Sequence, residues 1–166
     1  MTGIARFEPR PDAEGRARVW AIGESRLHNY LVPRDCPRVT FYAAATTTAV
    51  DRDRFFSVSA SESVVAIERG WLERLRATRL YLYEFAPDGF DSRDTIAAYW
   101  TSAQAATPID CVEVADPLTE LVRRRVELRV LSSLWPLRDA VVASTLGFSI
   151  IRMRNARPRD ALLDRV

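Results

Sequence analysis

Two prolines, Pro33 and Pro37, lie inside the stretch Tyr30–Phe41, YLVPRDCPRVTF. Each ring fixes its own φ and drives the preceding residue toward extended geometry. A helix is therefore disfavoured here. The stretch reads as a stiff, kinked connection running into a strand, Arg38–Tyr42. Stiffness leaves Arg34, Asp35 and Arg38 pointing in set directions with little entropy left to lose. These residues allow two interpretations. In one, Asp35 accepts hydrogen bonds from an arginine or from turn amides, Cys36 is buried, and the segment is a structural corner. In the other, Arg34 and Arg38 present planar guanidinium forks to a phosphate or carboxylate.

The chain has 166 residues, enough for one domain with a sizeable core. A single globular domain is expected over residues 1–156, with a polar, frayed tail over 157–166. No apolar run approaches the ~20 residues of a membrane helix, and the N-terminus has no signal-peptide core. A cytoplasmic protein without membrane contact is the expectation. Cys36 and Cys111 follow no metal spacing, and His28 is the one histidine; no metal site is expected. All 24 basic residues are arginine, yet 22 acidic residues leave a net charge of only +2. The arginines are scattered, so nucleic-acid binding is disfavoured and codon usage explains the bias. The run Arg123–Arg125 falls at the end of an expected helix, where it complements the helix dipole.

Strands are expected over 18–22, 38–43, 63–68, 78–85, 97–101, 108–114 and 126–131, with a final extended segment over 148–153. The evidence is period-two alternation and β-branched or aromatic content. Short helices are expected over 51–56, 71–77 and 117–124, the last capped by Asp116 with Pro117 at its first position. A fourth starts after Ser132 or Ser133 and ends at Gly147. A helical turn over 25–30 brings His28 and Tyr30 toward the proline-rich stretch. Pro87-Asp88-Gly89 is a turn. Strict βαβ alternation is absent. The fold class that follows is α+β: a twisted, mainly antiparallel sheet, open to splitting into two halves, flanked by short helices.

No phosphate loop, dinucleotide fingerprint, nucleophile elbow or zinc-protease motif is present. A Cys36–His28 pair spans two kinks and is not expected to meet. On the strand VELRVL, Glu127 and Arg129 share one side. They form either a solvated ion pair or a carboxylate facing a cleft. Trp20, Trp100 and Trp135 read as core residues. Tyr81 and Tyr83 read as core or as a stacking surface.

YLVPRDCPRVTF, VELRVLSSLWPLRD and FSIIRMRNA together resemble a family of small bacterial proteins built on a domain of unknown function, from about Ile4 to Ala156 and with PRDCPR as its signature. A fainter resemblance, in element order, is to the ADP-ribosyltransferase-like superfamily, through VWAIGE, AYWTSAQAATPIDCVEV and VELRV. It implies a nucleotide or ADP-ribose-type ligand, with NAD as substrate. Glu127 would act on the reacting sugar; Tyr30, Arg34, Asp35, Arg38 and Arg129 would bind the ligand and its phosphates. The resemblance to the small bacterial family also implies a short strand upstream of IARFEPR, before Met1. The alternative is a non-catalytic protein-interaction module or homo-oligomer that pairs through an exposed sheet edge.

Overall fold

The computed structural model describes residues 3–159. The chain is α+β, with antiparallel pairing throughout its sheets except at one junction. In chain order the elements are β1 (Arg10–Pro11), β2 (Ala17–Ile22), β3 (Arg38–Tyr42), α1 (Ala49–Phe56), β4 (Ser63–Glu68), α2 (Leu72–Arg76) and β5 (Leu80–Glu84). There follow β6 (Asp91–Asp94), β7 (Tyr99–Ser102), β8 (Asp110–Val114), α3 (Pro117–Arg123), β9 (Glu127–Leu131), α4 (Trp135–Val142) and β10 (Gly147–Ile151). A 3-10 segment, Glu24–Tyr30, takes the place of the expected helical turn. No helix among the described residues is long and apolar enough to cross a membrane.

The chain divides into two compact units. The first comprises the chain up to Leu27 and Arg79–Ala115; the second comprises His28–Thr78 and the chain from Asp116 onward. The first holds a sheet in the order β1-β2-β7-β6 and a two-stranded ribbon, β5-β8. Strands β1 and β6 are absent from the sequence expectation. Strand β6 is Asp-Ser-Arg-Asp, exposed throughout, and charge alone gives it no alternation to detect.

The second unit holds a sheet in the order β10-β3-β4-β9, parallel only between β4 and β9. Its central strand explains its stability. Val64, Val65, Ala66 and Ile67 are completely buried, because both faces of SVVAIE are covered, and each such Val or Ile side chain contributes about 1.5–3 kcal/mol. In the register, Phe41 pairs with Val64 and Val64 with Glu127, while Arg38 pairs with Ile67 and Ile67 with Val130. Paired residues share a face and neighbours alternate. One face therefore carries Val39, Phe41, Val64 and Ala66, packed with Phe55 and Phe56 of α1, Val141 of α4, Leu134 and Leu146. The opposite face carries Arg38, Thr40, Val65, Ile67 and Leu128.

The ends of α1 and α4 are tied by one carboxylate. Thr48 caps α1, its hydroxyl accepting from the Asp51 N–H at 3.2 Å. Asp51 Oδ2 then accepts from Thr145 N at 2.8 Å and from Thr145 Oγ1 at 2.6 Å. The Thr145 hydroxyl bond, the Thr145 amide bond and the Thr48 contact hold the Asp51 carboxyl below the ordinary aspartate range. The depressed value means that the folded state binds the proton less well than the unfolded one. The stabilisation is thus complete above the ordinary aspartate range and is lost as pH falls through the folded-state value. Asp51→Asn should flatten the acid limb of the stability–pH profile and leave the neutral-pH fold intact, as read by denaturation midpoints between pH 2 and 7.

Gly147 opens β10 directly opposite Tyr42. A Cβ there would fall 2.2 Å from the Tyr42 ring, so the aromatic ring occupies the space that any side chain would need. Gly147→Ala should cost about 1–3 kcal/mol by overpacking. Adding Tyr42→Ala should recover part of that loss in a double-mutant cycle by chemical denaturation.

Candidate functional site

The proline-kinked stretch folds back onto the start of β3 through one side chain. Arg38 is only 2 % exposed. Its Nε donates to the Asn29 carbonyl at 2.7 Å and its Nη1 to the Cys36 carbonyl at 2.9 Å. Its Cζ lies 5.4 Å from the centre of the Tyr30 ring. A buried guanidinium must spend its donors, and here it closes the loop from both sides. Arg38 is thus a clamp for the chain between residues 29 and 38, not an open phosphate fork.

Around this clamp lie polar groups of unequal satisfaction. Asn29 is 4 % exposed, yet its Oδ1 is buried with no hydrogen-bond partner. His28 is buried beside it in the chain. Tyr30 keeps 37 % of its surface exposed. Arg34 and Asp35 stand in solvent at the tip of the kink. The tip is anchored from the far end of the chain: Asn155 Nδ2 donates to the Asp35 carbonyl at 2.7 Å, and Arg152 Nε is 4.0 Å from the Asp35 carboxylate. Cys36 is completely buried. Burial pushes its thiol up to about 12, with the Arg38 and Arg74 charges acting against the rise and the Glu68 charge adding to it.

Glu68 is the buried carboxylate that the sequence reading passed over. It ends β4, is 2 % exposed, and accepts from Arg157 N at 3.0 Å and Leu134 N at 3.3 Å. The only available signal was an acidic residue closing an otherwise apolar strand. Through it the chain at Arg157 is pinned rather than frayed. Trp135 Nε1 donates to the Arg157 carbonyl at 2.8 Å, and Arg159 Nη2 reaches Asp139 at 3.1 Å. The remainder of the expected tail, 160–166, lies outside the described residues.

Glu127 and Arg129 are placed elsewhere. Arg129 Nε donates to Glu127 Oε1 at 2.6 Å, and Arg129 Nη2 to the Phe55 carbonyl at 2.6 Å. Burial pushes the Glu127 carboxyl up, but hydrogen bonds from Arg129 and Ser59 and the Arg129 charge together hold it below the ordinary glutamate range. It is an ionised acceptor at neutral pH, engaged with its neighbour. The two residues lie on the sheet face covered by α1, whereas Arg38 lies on the opposite face. Tyr30, Arg34, Asp35 and Arg38 therefore belong to one neighbourhood of the chain, and Glu127 with Arg129 to another.

The chain belongs to DUF6886, a family of unknown function. The family model matches residues 1–156, which includes the clamp, Glu68 and the Asn155 anchor. No curated protein and no solved structure matches the chain. Among the described residues there is no cluster of His, Cys, Asp and Glu suited to a metal ion.

The two thiols should react unequally. Cys111 is exposed and should be modified by a disulfide reagent at pH 8. Cys36, buried and protonated, should react only on unfolding. Cys111→Ser should leave the native protein without a rapidly titrating thiol; a fast equivalent in that variant would show that the loop 29–38 opens readily.

Proposed function

We propose that this chain is a binding domain for a small phosphate-bearing ligand of the nucleotide or ADP-ribose type, received at the stretch from Asn29 to Asp35. The observation that carries this reading is the Asn29 amide oxygen, buried without a partner in the residue that precedes the half-open Tyr30 ring. A buried unpaired acceptor costs about 1–3 kcal/mol, and a ligand N–H or O–H would relieve that cost. Arg38 orders Tyr30 as a stacking surface without itself touching the ligand. Arg34, exposed on the stiff kink, takes the phosphate, and Asp35 accepts from a sugar hydroxyl.

This assignment favours binding over turnover. An enzyme acting on NAD would need Glu127 beside the sugar, and Glu127 sits on the other face of the sheet in an ion pair. A second reading, an interaction module or homo-oligomer, draws on β8, which has four exposed residues in a row and one strand neighbour.

Thermal unfolding with NAD, ADP-ribose and common nucleotides separates these readings. A ligand at 100 times its Kd should add about 2.7 kcal/mol of stability. Tyr30→Ala and Arg34→Ala should abolish the shift and Glu127→Gln should preserve it. No shift with any of these compounds, together with a dimer by light scattering, would replace the ligand domain with the interaction module. Turnover of NAD that disappears in Glu127→Gln would restore the catalytic role.

A further inference from the structure

The sheet of the first compact unit carries chemistry that the reading above leaves unused. In the pairing of β2 with β7, Trp20 is opposite Thr101 and Ile22 is opposite Tyr99. Paired positions share a face, so Arg18, Trp20, Tyr99 and Thr101 lie on one side. Trp20 is 47 % exposed, although it lies in the middle of a strand. The Tyr99 ring supports it edge-on, at 5.9 Å between centres and 85° between planes.

A guanidinium lies next to this open indole. Arg18 Nη1 reaches Thr101 Oγ1, on the cross-strand neighbour of Trp20, at 3.4 Å. That is long for an N–H···O bond. Arg18 Nε is buried with no acceptor. A side chain with five donors is thus held by one weak contact. Arg10, exposed on β1, pairs with Arg18 and shares its face. On the other flank, exposed Asp91 of β6 pairs with Thr101.

We propose that this face binds a nucleobase together with its phosphate. The base stacks on the open indole, the phosphate is held by Arg18 and Arg10, and a ribose hydroxyl donates to Asp91. Arg18 and Trp20 are two residues apart on a strand, about 7 Å, comparable with the offset of a 5′-phosphate from its base. Asp91 repels the phosphate from its own flank and so fixes the orientation. A planar aromatic surface with an adjacent under-used arginine suits any base, since each has a π face. The source is either a free nucleotide or the end of a single strand. This site shares no residue with the Asn29–Asp35 site, so each can fail alone.

The test is equilibrium binding of adenosine 5′-monophosphate, adenosine and a short single-stranded oligoadenylate to the whole chain, with melting recorded for every variant. Trp20→Ala and Arg18→Gln should each weaken monophosphate binding about tenfold or more, with Tyr30→Ala as the control for the other site. Adenosine should bind more weakly than its monophosphate. An oligomer that binds more tightly than the monophosphate, with affinity falling as salt rises, supports the inference and assigns the strand; equal affinity supports it and assigns the free nucleotide. Should Trp20→Ala not fold, Trp20→Phe should weaken binding a few-fold through its smaller ring. Absence of binding, or binding that ignores both Trp20 and Arg18, overturns the inference.

Discussion

The buried guanidinium of Arg38 is the constraint on which the second unit depends. Its position at the start of β3 is dictated by the sheet register, and its burial obliges it to find acceptors. It finds them in the main chain, at Asn29 and Cys36. The intervening loop carries Pro33 and Pro37, which supply no N–H of their own. A loop short of internal donors is closed by a side chain that has five. Remove the guanidinium and the carbonyls of Asn29 and Cys36 lose the donors that tie them to the start of the strand.

Glu68 plays the complementary part at the end of the neighbouring strand. There the main-chain amides of Leu134 and Arg157 need acceptors, and a buried carboxylate satisfies both. One buried cation collects carbonyls and one buried anion collects amides. Both act on the thiol of Cys36, with opposite sign. The unit thus spends both of these buried charges on backbone.

Local chemistry made much of the fold legible. The alternation in RVTFY, the β-branched run SVVAIE, the Asp116–Pro117 helix start and the proline kink all lie close to the expected positions. The start of α4 was placed approximately: Ser133 accepts from Trp135 N at 3.3 Å, but the residue at the cap position is Leu134. Strand β6 left no trace, because an exposed strand of charged residues has no hydrophobic face to betray it. Trp20, read as core from its apolar neighbours, stands half open. For the candidate site, burial decides what each side chain of the stretch holds. Arg38 looked like a ligand fork and is a clamp; Asn29 was passed over and holds the unpaired acceptor.

Proline stiffness, strand periodicity and the shared side of Glu127 and Arg129 are properties of consecutive residues, so the amino-acid order alone sets them. Which side of the sheet that pair occupies is a different matter. It follows from the parallel register of β9 on β4 and from α1 lying over Phe41. The same holds for Glu68, whose partners lie far along the chain. A strand pattern specifies which residues face together. Only the packing of distant segments specifies what that face meets, because burial and hydrogen-bond partners are contributed by other parts of the chain.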